Sequence, residues 1–341
     1  MKKYRSQIKW SLLTLLFLFL VRVFFYQTVK VDNFHMASTI LPGDRVIINK
    51  FRAGLRLPIS IIGLPGPKSP YADGFRLPYL RLPALIKLKR QDVIAFNYPV
   101  GSDQPIDRKR LMISRLVGLP GDTLLIQDKI VTVNRKELPE PQNGRAEFRT
   151  ITNGKSISNE FLRRYDIEKP RIAADIGIFD LDIPKSLSTV LEKEPGVTNV
   201  RETKLFLGDA SVDYYPLSNF FMWNRDQFGS LRVPSKGMTV KIDIRTIDFY
   251  RDIIETHEKH DVLVDFSGIH IDGKTITSYT FEKNYFFVLS DSRDNPDDSR
   301  KYGFVPEDHI LGVAKRIFWS HQNKYDYLRK FHLERFFKSI H

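Results

Sequence analysis

The chain has 341 residues, of which 42% are hydrophobic and none is cysteine, and its formal net charge is +13. This composition is typical of a folded protein, and it excludes disulfides, thiolate zinc sites and a cysteine nucleophile. The excess of Lys and Arg predicts an anionic neighbour, either lipid head groups or nucleic acid.

The N-terminus predicts a membrane anchor. Four cationic and no acidic side chains precede residues 10–26, WSLLTLLFLFLVRVFFY, an apolar run long enough to cross a bilayer. A cleaved signal peptide is the alternative, but it would have a shorter apolar region followed by a small-x-small cleavage site, which QTVKVDNF lacks. Basic residues before the span place the N-terminus in the cytoplasm and the rest of the chain in the periplasm.

After the anchor, short strands bounded by turn residues predominate. A loop and a Pro-Gly-Asp turn within residues 34–51, FHMASTILPGDRVIINKF, lead into the first predicted strand. Residues 52–89, rich in Pro, Leu, Gly and Arg, are predicted to form a long surface loop. Further strands are predicted within residues 92–99, 115–126, 130–138 and 269–276, the last two as hairpins.

An acidic segment, SDSRDNPDDSRKYGFVPEDHILGVA, begins at Ser290. Its spacing lacks the sixth-position glycine and the closing glutamate of a calcium loop. Histidines 257 and 260 are three residues apart, whereas a zincin helix needs four, so we predict no metal and no cofactor. We interpret the first part, residues 290–300 (the acidic box), as a buried network of Asp and Arg side chains. A solvated charge run is the alternative.

These segments resemble the type I signal peptidases, which are membrane-anchored serine endopeptidases of the bacterial envelope. The family's boxes occur here in the family's order, as HMASTILPGDRVIINKF, RQDVIAFNYP, SRLVGLPGD and the acidic segment. The resemblance implies a mainly β fold, in which an antiparallel or barrel-like peptidase core carries an inserted β cap and follows one transmembrane helix.

The resemblance also implies a domain organisation. Residues 1–27 would form the cytoplasmic tip and anchor, 28–122 plus 282–320 the core, 123–281 the cap, and 321–341 an amphipathic basic tail. In a helical tail, Leu333, Phe336, Phe337 and Ile340 would share one face, which suits either a membrane interface or docking on the protein body.

Both members of the family's catalytic dyad are replaced. When the Gly-Asp turns are aligned, the nucleophilic serine falls on His35 and the general-base lysine on Ser114. Asn33 corresponds to the oxyanion-hole side chain, and Pro296 replaces a serine that helps to orient the lysine. Because the dyad needs a buried neutral lysine to take the serine proton, these replacements predict an inactive protein.

An active enzyme with a swapped dyad is the alternative, in which His35 would activate Ser114. The nucleophile would then lie on the opposite side of the scissile carbonyl from the family's oxyanion donors, and such misplacement slows a reaction steeply.

The resemblance implies a substrate groove that accepts small side chains of an extended signal peptide. Two strand edges would line it, with Val29, Val31 and Met36 on one and Met112 and Ile113 on the other. Core packing explains these apolar residues equally well. The residues predicted to support the site structurally are Asp291, Arg293, Asp294, Pro296, Asp298 and Arg300.

The sequence therefore predicts a single-pass protein of the cytoplasmic membrane, a signal peptidase I homologue that has lost catalysis. Its predicted partners are membrane lipids and either the signal peptides of exported precursors or an active signal peptidase. A basic membrane-linked binding protein is a further alternative. Nucleic acid is not expected, since no binding motif accompanies the charge.

Overall fold

The computed structural model describes residues 2–57, 59, 78–84, 86–101, 104–141, 144–165, 167, 170–172, 177–209, 214–218, 220–322, 330–331 and 333–340. The α-helices are α1 (Lys2–Phe24), α2 (Asn159–Arg164), α3 (Ser188–Leu191), α4 (Arg251–Thr256) and α5 (Ser299–Tyr302). Short 3-10 helices occupy Ile106–Arg108, Lys185–Leu187, Thr246–Phe249, Glu307–His309 and Leu333–Arg335.

The predicted N-terminal helix is present as α1, which leads directly into the first strand. In the part of the chain that the structure describes, no helix has both the length and the apolar character required to cross a membrane. The transmembrane anchor therefore stays a prediction.

Strands make up most of the remaining regular structure. They are β1 (Tyr26–Lys30), β2 (Asp44–Asn49), β3 (Val93–Asn97), β4 (Leu111–Gly118), β5 (Thr123–Gln127), β6 (Ile130–Val133), β7 (Lys136–Glu137), β8 (Arg145–Thr152), β9 (Arg171–Ile172), β10 (Ile178–Pro184), β11 (Val197–Glu202), β12 (Phe228–Arg232), β13 (Thr239–Lys241), β14 (Val262–Asp265), β15 (Gly268–Ile271), β16 (Lys274–Ile276), β17 (Ser278–Thr280), β18 (Tyr285–Leu289), β19 (Val305–Pro306), β20 (Ile310–Gln322) and β21 (Lys330–Phe331).

A central antiparallel sheet positions the site. Its order is β1-β2-β20-β3-β4-β18-β19, with β21 also paired to β20. Strands β3 and β18 are buried at every residue because apolar clusters cover both faces of the sheet. The predicted mainly β, antiparallel fold is confirmed.

The segment between β7 and β12 contains a sheet of its own, in the order β11-β8-β10-β9. A separate apolar cluster, which includes Phe148, Phe161 and Leu181, packs on it. The other strands of the predicted cap share one cluster with Val117 and Phe287 of the central sheet. The domain boundaries given by the sequence stay predictions, but packing groups β5, β6 and β12 with the core.

The described part of the tail is not the helix that the sequence pattern favoured. After the 3-10 turn at Leu333–Arg335, the chain pairs with β20, because the Ile317 N–H donates to the Lys338 oxygen and the Ile340 N–H to the Lys315 oxygen. Ile340 is buried in the cluster that contains Val31 and Met36. Docking on the protein body, one of the two predicted roles, is the arrangement present.

His257, which follows α4, gives a prediction about pH. Burial, followed by the nearby charge of His309, lowers the pKa of His257 from 6.5 to about 3. The unfolded chain therefore binds more protons than the folded chain between these values, so stability should fall as pH drops below about 6.5. In His257→Gln the free energy of unfolding, measured by urea titration from pH 7.5 to 4, should fall less steeply. An unchanged slope would contradict the assignment.

Candidate active site

His35 lies in the turn after β1, and its ring is directed toward the acidic box. Its Nδ1 atom is 3.2 Å from the main-chain oxygen of Asn295, and its Nε2 atom is 3.6 Å from Oδ2 of Asp297. Because a carbonyl oxygen only accepts, Nδ1 carries the proton in this contact. Asp297 also accepts a 2.9 Å hydrogen bond from Arg110. The ring is thus held by the acidic box, at about 20% exposure of its side chain.

Ser114 lies within β4 opposite Ile94 and is completely buried. Among the described residues its Oγ atom has no partner with hydrogen-bond geometry, and neither has the Tyr302 hydroxyl that faces it. Burial raises the pKa of Tyr302 well above its usual value, and Asp298 raises it further. Tyr302 packs edge-on against Tyr98, with ring centroids 5.2 Å apart. Aromatic side chains therefore lie beside the position of the family's base, and the charges of Asp298 and Asp297 act on the Tyr302 hydroxyl there.

The two dyad positions do not form a catalytic pair. Within the described residues no hydrogen bond joins His35 to Ser114. A serine with no exposed surface cannot reach a peptide carbonyl, and a serine hydroxyl is far too weak a base to serve a nucleophile near neutral pH.

Asn33, the predicted oxyanion residue, is exposed beside His35. Its Oδ1 atom accepts a weak, 3.4 Å hydrogen bond from the His35 main-chain N–H. An oxyanion site requires donors that point toward the developing charge. Here the His35 main-chain N–H is occupied by the Asn33 side chain, so this contact must open before that N–H can bind an oxyanion.

The acidic box fixes the turn that carries His35. The Ser292 N–H donates to the His35 oxygen, and the Ser292 hydroxyl donates to the Phe34 oxygen, both at 2.9 Å. Asp291 receives two 2.7 Å hydrogen bonds from Arg115 and one of 2.6 Å from Thr39. These bonds connect β4, the turn and the acidic box in one rigid unit.

A second buried ion pair, between Asp298 and Arg300, lies within the acidic box. Asp298 accepts from Nε of Arg300 at 3.0 Å and from Nη2 at 2.8 Å, and it also accepts from the Ser290 N–H at 2.8 Å. Burial alone would raise the pKa of Asp298, but the Arg300 charge and the hydrogen bonds lower it overall. Asp298 therefore stays ionised although it is completely buried.

The acidic box also contacts the inserted sheet. Asp294 accepts hydrogen bonds of 2.7 Å from the Lys129 amine and from the Glu147 N–H, while its main-chain oxygen accepts from Arg225 at 2.7 Å. Burial lowers the pKa of Arg293 to about 10. Pro296 is buried and has no hydroxyl that could orient an amine.

The predicted groove residues divide between two clusters. Val31 and Met36 are buried in one cluster, with Val29 and Ile113 at its edge. Met112 belongs to the cluster on the other face of the central sheet. Successive residues of a strand point to opposite faces, so Met112 and Ile113 cannot line one groove with their side chains. The structure brings four of the five residues together.

One edge of β4 is free beside this group. Strand β18 pairs only with Arg115–Gly118, so in the described part of the chain the first half of β4 has a ladder only on its β3 side. An extended peptide can add to such an edge by main-chain hydrogen bonds.

Sequence reasoning missed several residues that determine the site, among them Asp297 beside His35 and Tyr302 beside Ser114. Both lie in the acidic segment, whose density of charge was the available signal. Arg110 and Arg115 had no local signal, because their acidic partners are 187 and 176 residues away in the chain.

Comparison with known proteins shows the family of the chain. A family model described as "Signal peptidase, peptidase S26" matches residues 4–213 and 232–319. A signal peptidase I of Buchnera aphidicola (subspecies Schizaphis graminum) is 25% identical over 311 residues, which cover 91% of this chain and 73% of the relative. A signal peptidase I of Haemophilus influenzae is 24% identical over 324 residues, which cover 94% and 72%.

Proposed function

Since this chain belongs to the peptidase S26 family of signal peptidases, we propose that it is a non-catalytic member that binds signal peptides at the membrane. One observation carries the loss of catalysis: the position of the general base holds a completely buried serine. His35, at the position of the nucleophile, bonds to the acidic box instead of to this serine. We propose that the groove has kept its ability to bind signal peptides. Such a protein would modulate export by holding precursors or by contacting an active signal peptidase.

The free edge of β4 and the half-buried Ile113 support peptide binding. In the full-length protein in detergent, a fluorescent signal peptide ending in a small-x-small sequence should raise anisotropy on binding and remain intact. Ile113→Asp should weaken binding about tenfold or more, because the added carboxylate would be desolvated against the peptide. The control is Val190→Asp, which makes a similar apolar-to-acidic change in α3, away from the groove. This variant should bind the signal peptide with the affinity of the unmodified protein. Equal affinity in both variants would contradict the groove.

We also propose that residues 10–26 anchor the protein in the cytoplasmic membrane as a single span. The apolar run and the basic residues before it support this topology. Protease added outside sealed spheroplasts should degrade the periplasmic part and spare a tag at Met1. Loss of the tag from intact spheroplasts would show that the N-terminus lies outside the cell membrane, contrary to the proposed orientation.

A further inference from the structure

A cleft of about 680 Å³ lies between α4, the segment before β4 and the start of β20. Tyr26 pairs with Asn49, and Asn49 with Val313, so the start of β20 is at the end of the central sheet where α1 joins it. The cleft does not include His35, Ser114 or the residues of the proposed peptide groove.

Two lysines in the cleft have no carboxylate ion-pair partner in the part of the chain that the structure describes. Lys109 makes one long hydrogen bond, 3.5 Å, to the Pro99 oxygen, and Lys259 has no ion pair among the described residues. Both lysines line the cleft. Burial and then repulsion by the charge of Lys259 lower the pKa of Lys109, while the charge of Asp308 raises it. Lys283, the third lysine, is paired with Asp308 at 2.9 Å. An anion between Lys109 and Lys259 would relieve the repulsion.

His309 supplies an independent sign of a ligand. It is only 3% exposed, and its Nδ1 atom is 2.8 Å from Oδ1 of Asp308. His309 lines the cleft, and its buried Nε2 atom has no hydrogen-bond partner in the described part of the chain. Buried polar atoms are rarely left unpaired in a free protein, and such an atom indicates an absent partner. Burial lowers the pKa of His309, although Asp308 opposes this effect. A bound anion would favour the protonated ring, which donates from Nε2.

A metal ion is the competing ligand for a carboxylate-bound histidine. The His257 ring is near, with its centroid 5.0 Å from that of His309. However, the described residues contain no group of three or more metal-ligating side chains. Lys109, Arg56 and Lys283 add positive charge around the two rings, against the negative charge of Asp308. The other acidic residue of the lining, Glu255, is paired with Arg251. The excess of positive charge disfavours a cation and favours an anion.

We infer that this cleft binds a phosphate group carried on a larger molecule, held between Lys109, Lys259 and the imidazole of His309. The volume exceeds that of a bare phosphate, and Ile106 and Pro105 add an apolar wall. Leu80 and Leu82 are exposed on a segment that Arg81 ties to β20 by a 2.5 Å hydrogen bond to the Ile310 oxygen. Exposed apolar residues at the α1 end of the sheet favour a phospholipid head group over a soluble phosphate ester.

The test follows the His309 imidazole by NMR in full-length, ¹³C-histidine-labelled protein in nonionic detergent, with its signal identified by loss in His309→Gln. Inorganic phosphate should shift this signal and raise the pKa of the ring, because a bound anion stabilises the imidazolium. Lys109→Gln/Lys259→Gln should weaken phosphate binding about tenfold or more. Lys136→Gln/Lys274→Gln, which removes two exposed lysines from hairpins outside the cleft, should bind as the unmodified protein does.

The source of the phosphate is tested in nanodiscs without added phosphate. A shift of the His309 signal in phosphatidylglycerol discs but not in phosphatidylcholine discs assigns the site to an anionic head group. A shift that requires soluble glycerol 3-phosphate in both discs assigns it to a soluble ester. Equal phosphate affinity in the two double variants, no shift with any phosphate probe, or a shift with Zn²⁺ alone would overturn the inference.

Discussion

The purified protein should leave a precursor with a small-x-small site uncut, and the double variant His35→Ser/Ser114→Lys should cleave it slowly. Each single change should fail, because a serine without a base stays protonated and a lysine without a nucleophile activates nothing. A positioned general base contributes roughly 10²- to 10⁴-fold to rate, so the double variant should exceed either single variant by about 10²-fold. A gel assay in detergent measures this, with folding matched by circular dichroism.

The matched control is His35→Ala/Ser114→Lys, which has the same base and no nucleophile. Adding Pro296→Ser should raise the rate of the double variant further by giving the amine a hydroxyl to orient it. Cleavage by the unmodified protein that disappears in Ser114→Ala would instead favour the swapped dyad. If the triple variant His35→Ser/Ser114→Lys/Pro296→Ser is well folded and cleaves no precursor, the groove no longer presents a peptide to the turn.

Asp297 is expected to limit the restored activity. It lies 3.6 Å from His35, and its charge raises the pKa of Tyr302, whose hydroxyl faces Ser114. A nearby negative charge would raise the pKa of a lysine at position 114 and keep it protonated, and a protonated lysine cannot act as a base. Adding Asp297→Asn should therefore increase cleavage and move its pH profile to lower pH. A profile that does not move would show that Arg110 already neutralises this carboxylate.

Local patterns predicted the strands well, since the alternation in residues 45–49 and the turn chemistry of Asp272-Gly273 depend only on neighbours in the chain. Period-two alternation would also have separated Met112 from Ile113, but the groove was assigned by alignment position and both were kept. The tail shows the opposite case. Its helical spacing was real, yet pairing with β20 and burial of Ile340 determined the structure.

For the site itself, the sequence predicted only which family motifs are present and in what order. Motif order identified His35 and Ser114 as replaced positions, but no local pattern indicates where a side chain points. The His35 ring contacts Asn295 and Asp297, which lie 260 and 262 positions further along the chain, and this contact depends on the folded sheet. The same holds for the bond between Arg115 and Asp291, which joins β4 to the acidic box.

Asp298→Ala or Arg300→Ala should destabilise the folded chain by about 3–5 kcal/mol, because each leaves a buried charge of opposite sign without its partner. The pair is 0% and 1% exposed, so water cannot replace the lost partner. Asp298→Ala also removes the acceptor for the Ser290 N–H. Denaturant titration of the full-length protein in detergent, followed by tryptophan fluorescence, measures the change. The control is Glu140→Ala, whose exposed pair with Lys185 should change stability by about 0.5 kcal/mol or less.

The two variants should respond differently to acid. In the unmodified protein the folded pKa of Asp298 is lowered, so its contribution is present above the unfolded pKa near 3.8 and is lost as pH falls through the folded value. Without Arg300, burial dominates and raises that pKa, so protonation at mildly acidic pH removes the stranded charge and recovers part of the lost stability. Arg300 cannot lose its charge in the same way, and Asp298→Ala should show no recovery. If both variants keep melting temperatures within error of Glu140→Ala, the pair carries no buried charge, and the acidic box cannot be the rigid support that holds the His35 turn.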